Sequence, residues 1–161
     1  MIITKIFRVL LLKALLLSVT AICAQIDQDP ATGLYYDSQG NPYTGIYEEY
    51  NDDGLLLRKL QLLNGQFNGE NKVFFIDGTV KEIQSYKAGL MDGTWTTYNP
   101  SGIKTAQAGY QQGRKHGPWF IWNDEGTLMF EMYYEEGSRS GTWIKYAENG
   151  EVISSVEYSS E

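Results

Sequence analysis

Glycine recurs at a fixed step of 24 residues, in three columns that hold the same register. Gly45, Gly69, Gly93, Gly117 and Gly141 form the first column, and Gly54, Gly78, Gly102, Gly126 and Gly150 the second. Gly65, Gly89, Gly113 and Gly137 form the third. A chain folded round one irregular core has no reason to keep such a step. A chain of stacked, similar units does, because each unit buries its apolar surface only against its neighbours. The third unit, residues 93–116, reads GTWTTYNPSGIKTAQAGYQQGRKH, and the fourth, residues 117–140, reads GPWFIWNDEGTLMFEMYYEEGSRS.

Each unit contains two breaks. Asp53-Gly54, Asp77-Gly78, Ser101-Gly102, Glu125-Gly126 and Asn149-Gly150 are turn signals that close a β-hairpin, since glycine reaches positive φ without a steric penalty. The second break falls at the third glycine column, from which short polar runs such as QQGRKHG lead to the next unit. No segment between breaks has the length or the stripe of a helix. The pattern predicts a strand near 94–99, a turn near 100–102 and a return strand near 103–110.

Period-2 alternation on the return strand assigns faces. Leu56, Val80, Leu128 and Val152 share a column, with Lys104 the exception. Leu60, Ala108, Met132 and Val156 follow on the same face, which Leu62, Tyr86, Tyr110, Tyr134 and Tyr158 close. Lys59, Gln107, Glu131 and Ser155 point the other way. On the outgoing strand Tyr47, Trp95, Trp119 and Trp143 form one column, and Tyr50, Phe74, Tyr98, Trp122 and Tyr146 another, three residues later. An odd spacing sets these two columns on opposite faces unless a bulge intervenes. Asn71 stands where other units carry Trp or Tyr, which marks the second unit as the least well packed.

The expected fold is therefore all-β: an elongated, single-layer antiparallel β-meander built from 24-residue β-hairpin repeats. The units run 45–68, 69–92, 93–116, 117–140 and 141–161. At about 4.8 Å per strand each unit advances the sheet by about 10 Å, with stacked aromatic ladders in place of a second layer. Residues 25–44 read as an irregular capping hairpin, with its turn at Gly40-Asn41 and with Tyr35 and Tyr36 as capping bulk.

Residues 1–24 read as a signal peptide: Lys5 and Arg8 precede an apolar stretch too short to span a bilayer comfortably. Cleavage falls between Ala24 and Gln25, or after Cys23, with a lipid-bearing Cys23 and an uncleaved N-terminal anchor as the other readings. Export would place the chain in the periplasm, on the outer surface or outside the cell, with no stable membrane insertion after cleavage. Of 13 basic residues, Lys5, Arg8 and Lys13 leave with the signal, so 10 face 20 acidic ones and the remainder carries a formal charge of −10. That charge repels nucleic acids and anionic membrane surfaces.

Chemistry-bearing residues are sparse. His116 is the lone histidine and reads as a solvated residue in the connection before Gly117. With one cysteine, itself in the signal, there is no thiol or zinc framework. The acids Glu48, Glu49, Asp52 and Asp53, and Asp124, Glu125, Glu131, Glu135 and Glu136, match no calcium-loop spacing and read as solvated turn acids. No catalytic residue, metal or cofactor is expected.

The aromatics are the stronger lead. Trp95, Trp119 and Trp143 are expected to form the core, because large rings at fixed repeat positions pack on their equivalents. Facing outward, they would instead make a ladder suited to sugars or to a partner strand. Tyr98, Trp122 and Tyr146 take whichever role the Trp column leaves. Two functions follow: a structural or protein-interaction module, or a carbohydrate or cell-wall binding module using an exposed aromatic ladder.

The pattern G-x-W-x-x-Y, Gly four residues on, then Tyr-x-x-Gly is carried by Gly93, Trp95, Tyr98, Gly102, Tyr110 and Gly113. Gly117, Trp119, Gly126, Tyr134 and Gly137 repeat it with Trp122 in place of the tyrosine, as do Gly141, Trp143, Tyr146, Gly150 and Tyr158. It resembles the MORN-repeat variant of the bacterial YwqK-type antitoxin repeat proteins, over about residues 45–161. The resemblance implies an elongated single-sheet meander without an enzymatic centre, in scaffolding and binding roles.

Overall fold

The computed structural model describes residues 25–159, so the expected signal peptide lies outside the described residues. The strands are β1 (Asp27–Gln28), β2 (Tyr35–Tyr36), β3 (Gly45–Tyr50), β4 (Leu56–Leu63), β5 (Gln66–Phe67), β6 (Gly69–Phe74) and β7 (Val80–Lys87). They continue with β8 (Leu90–Met91), β9 (Gly93–Tyr98), β10 (Lys104–Gln111), β11 (Arg114–Trp122), β12 (Leu128–Glu135), β13 (Ser138–Tyr146) and β14 (Val152–Tyr158). From β3 to β14 they form a 12-stranded antiparallel sheet in chain order, with the short β5 and β8 set beside β4 and β7. This is the elongated meander that the glycine step predicts.

Two kinds of turn alternate. At the first break Asn99 N donates to Ile103 O and Gly102 N to Asn99 O, both at 2.9 Å. The Asn99 side-chain oxygen accepts from the backbone N–H of Ser101 and of Ile103, both at 3.0 Å. An asparagine holding its own turn is the reason the sequence signal is strong there. At the second break Gln112 and Gly113 are both left-handed (φ 48° and 81°) between the paired residues Gln111 and Arg114. That is a two-residue hairpin turn matching the natural twist of the strands. It consumes two residues only, so the polar run beyond it is strand. His116 accordingly sits in β11 and not in a connection.

A second departure concerns the faces. Trp122 pairs with Leu128 and Ile121 with Phe130, which leaves Met129 as an extra residue in β12. The same slip separates Tyr50/Leu56, Phe74/Val80, Tyr98/Lys104 and Tyr146/Val152 from the pairs before them. The column of Leu56, Val80, Lys104, Leu128 and Val152 therefore leaves the face of Leu60 and Leu62 and joins that of Trp122. Strict alternation fails because a bulge reverses it.

The fully buried apolar residues cluster at the N-terminal end, where the capping segment lies on the sheet. Tyr35, Leu60 and Leu62 are 2%, 3% and 3% exposed, with Ile26, Tyr43, Tyr47 and Phe67 packed against them. Tyr35 N donates to Gly65 O at 2.9 Å, which ties the cap to the first two-residue turn. Asp37–Asn41 makes a further turn, bridging Tyr36 to Pro42. Asn71 is wholly buried: its Oδ1 accepts from Gln61 N at 2.6 Å, while its Nδ2 has no hydrogen-bond partner. Phe67 carries the ring contacts past it, touching Tyr35 at 5.7 Å and Tyr86 at 5.0 Å between centroids.

Candidate functional site

One face of the sheet is a continuous ladder of rings. Tyr35, Phe67, Tyr86, Trp95, Tyr110, Trp119, Tyr134, Trp143 and Tyr158 touch in succession, with centroids 5.0–5.7 Å apart and planes tilted by 46–59°. Tilted contacts bring ring edges to ring faces, worth about 0.5–1.5 kcal/mol each beyond the area they bury. Each indole is anchored as well: Trp95 Nε1 donates to Ser85 O (3.3 Å), Trp119 to Gly109 O (2.9 Å) and Trp143 to Tyr133 O (2.9 Å). Lys115 lies over Trp119 and Tyr134 at 4.4 and 4.7 Å, and Arg139 over Trp143 and Tyr158 at 4.8 and 5.4 Å. Burial raises the phenol pKa of Tyr35, Tyr86 and Tyr110. The Trp95, Trp119 and Trp143 column is thus engaged in the structure itself.

The opposite face carries the other column. Tyr50, Phe74, Tyr98, Trp122 and Tyr146 each stand across from Leu56, Val80, Lys104, Leu128 and Val152, so rings alternate with mostly aliphatic side chains across the sheet. The neighbouring row runs Thr96, Gln107, Phe120, Glu131, Ile144 in strand-to-strand register. Phe120 packs on Trp122 at 5.7 Å. Lys104 Nζ lies 4.1 Å from the Trp122 ring centre and donates to Gln107 Oε1 at 3.1 Å. The Glu131 carboxylate accepts one phenol on each oxygen, from Tyr133 at 3.0 Å and from Tyr146 at 3.1 Å. These bonds help hold both phenols protonated: the hydrogen bond to Glu131 is the main cause at Tyr133, and desolvation precedes it at Tyr146. Tyr50 is 52% exposed and Val152 58%.

Odd spacing separated Trp119 from Trp122 in the sequence, and the structure keeps them on opposite faces. Phe120, Glu131, Gln107 and Tyr133 were not singled out as site residues. Their signal was available, since Phe120 lies two residues before Trp122 and Glu131 two before Tyr133, spacings that share a face.

His116 belongs to a turn-supporting column. Thr44, Asn68 and Asp92 each accept the N–H that opens the following two-residue turn, from Asn64 (2.9 Å), Ala88 (3.1 Å) and Gln112 (3.1 Å). His116 follows them at the 24-residue step, its buried Nδ1 without a hydrogen-bond partner and 3.8 Å from Glu136 Oε1. Of the first acidic cluster, Glu48 pairs with Lys59 at 2.8 Å and Glu49 pairs with Arg58. Among the described residues no group of three or more His, Cys, Asp or Glu side chains is placed to hold a metal ion. No helix among them is long and apolar enough to cross a membrane.

Fold and faces together define a repeat-built, single-layer β-meander with aromatic rows on both sides. The family model described as MORN repeat variant matches residues 115–136 and 139–159, so this part of the chain is a MORN-repeat variant region. No curated protein matches the chain.

Proposed function

We propose that this chain is an exported, non-enzymatic binding scaffold whose second face takes a glycan chain. One observation carries the reading. The Trp95, Trp119 and Trp143 column is held ring to ring and by backbone hydrogen bonds, whereas the Tyr50, Phe74, Tyr98, Trp122 and Tyr146 row stands on the other face. Its rings recur once per two strands, about every 10 Å. That step suits a polysaccharide lying across the strands, with sugar faces stacking on alternate rings and hydroxyls meeting Thr96, Gln107 and Glu131. Sequence supports export through the Lys5 and Arg8 flank and the apolar stretch after it.

Tryptophan emission tests the binding. Soluble cell-wall oligosaccharides should shift or quench the wild-type signal, and Trp122→Ala should abolish the response while the fold persists. Silence across a broad glycan panel would defeat the proposal. Export is tested by sequencing the N-terminus of protein recovered outside the cytoplasm, with Gln25 expected first.

A further inference from the structure

We infer that the glycan taken by the second face carries free, protonated amines, a deepening that rests on the glycan reading above. Two local observations in units three to five and one of the whole chain support it. The first is Lys104. In the other four units its column holds Leu56, Val80, Leu128 and Val152, and here alone a lysine sends its ammonium 4.1 Å from the centre of the Trp122 ring. An ammonium over an indole face is held by the ring quadrupole. The Trp122 face is therefore a cation site already occupied by a tethered group of the protein's own.

The second observation is Glu131. It is the register partner of Phe120, which packs on Trp122, so its carboxylate stands beside that ring pair. Two phenols fix it, one on each oxygen. A carboxylate oxygen has room for a further donor, so Glu131 is oriented yet not saturated. An ammonium offers three donors and a positive charge, the complement of such a group. The third is the overall charge. Residues 25–161 carry −10, which draws a polycation towards the sheet and turns a polyanion away.

An amine-bearing sugar unit would place its ring on Trp122 or Tyr146 and its ammonium against Glu131. The Lys104 ammonium would withdraw from Trp122 as the sugar arrives. A fully N-acetylated chain offers the same ring faces but no charge for Glu131. Lys104 thus acts as a stand-in for the ligand and sets how strongly the incoming cation must bind to replace it.

The test compares β-linked glucosamine oligomers in free-amine and fully N-acetylated forms, at mildly acidic pH and low salt, by calorimetry and tryptophan emission on the signal-free chain. The free-amine form should bind about tenfold tighter, with added salt eroding the difference. Glu131→Gln keeps the shape and should erase the preference. Lys104→Leu, which installs the residue of two other units, should tighten free-amine binding and serves if the glutamine variant melts early. Equal affinity for the two forms would overturn the amine inference and leave the glycan reading standing. Binding of neither would remove both. A free-amine preference that survives Glu131→Gln in a folded protein would refute the assignment to this site.

Discussion

The two faces of this sheet are built from the same kinds of residue and hold them in different ways. On the ladder face Trp119 touches Tyr110 at 5.3 Å and Tyr134 at 5.1 Å, donates its N–H to Gly109 O and lies under Lys115. On the second face, three residues along the same strand, Trp122 packs on Phe120 and carries Lys104. A one-layer sheet has no second layer to bury against, so one face must make its own core laterally, ring upon ring. The rings of the other face are not joined into that ladder, and each takes its contacts locally, as Trp122 does with Phe120 and Lys104 and Tyr146 with Glu131. The identity of the residue does not decide its role; the parity of its position does.

That contrast is broken most directly by truncating one tryptophan at a time. Trp119→Ala removes two ring contacts and a backbone anchor and should destabilise the fold by about 3–4 kcal/mol. Trp122→Ala removes one packed ring on the less engaged face and should cost about 1 kcal/mol. Urea denaturation of both variants measures the gap. Equal losses would mean that the second face also carries the fold.

A backbone substitution probes the same anchor from below. A Cβ on Gly109 would fall 2.1 Å from the His116 carbonyl oxygen and 3.4 Å from that of Pro118. Neither is the flexible end of a side chain, so β10 and β11 must part and the Trp119–Gly109 bond must lengthen. Gly109→Ala should destabilise by about 2–3 kcal/mol, with weaker protection of the Trp119 indole N–H in hydrogen exchange. A neutral result would show that the two strands part there without cost.

Alkaline pH probes the buried phenols of the ladder by ionisation. Tyr86 and Tyr110 have phenol pKa values raised above the ordinary 10.0, chiefly by burial. A raised pKa on an acid means that the folded chain favours the neutral phenol. The associated stability is therefore fully present below the unfolded value and is lost as pH rises through it towards the folded one. Denaturant midpoints should stay level through neutral pH and fall above about 10. Tyr86→Phe and Tyr110→Phe should each flatten that fall. Unchanged pH dependence in both variants would place the alkaline loss elsewhere.

Much of this was legible in the chain. The glycine step fixed the repeat, and the Trp-x-x-Tyr spacing fixed the opposition of the two columns, because both rest on local periodicity that survives folding. What could not be read was non-local. The extra residue represented by Met129 leaves no mark in composition, yet it moves Leu128 to the face of Trp122. The second turn was obscured because Ala88, Gln112 and Glu136 are not residues that advertise positive φ; only Asn64 is. At Asn71 the support from Gln61 of the preceding strand and the passage of the rings through Phe67 are non-local too, while its buried Nδ2 stays without a hydrogen bond. Which phenol each polar residue of the second face meets was hidden for the same reason. Glu131 meets Tyr146 across 15 residues and a strand boundary.

The finest difference lies between units that close their second turn with an oxygen and the one that offers a histidine. Asn68 and Asp92 accept the Ala88 and Gln112 N–H groups at 3.1 Å, a geometry an asparagine at position 116 can reproduce. His116 leaves its Nδ1 buried and without a hydrogen bond. Replacing an unmet buried nitrogen by an acceptor of the right reach gains one hydrogen bond, so His116→Asn should stabilise the fold by about 0.5–1.5 kcal/mol. Slower amide exchange at Glu136 would identify the new acceptor. A loss of stability would show that the imidazole supports β11 by packing, and that the fourth unit is held differently from the two before it.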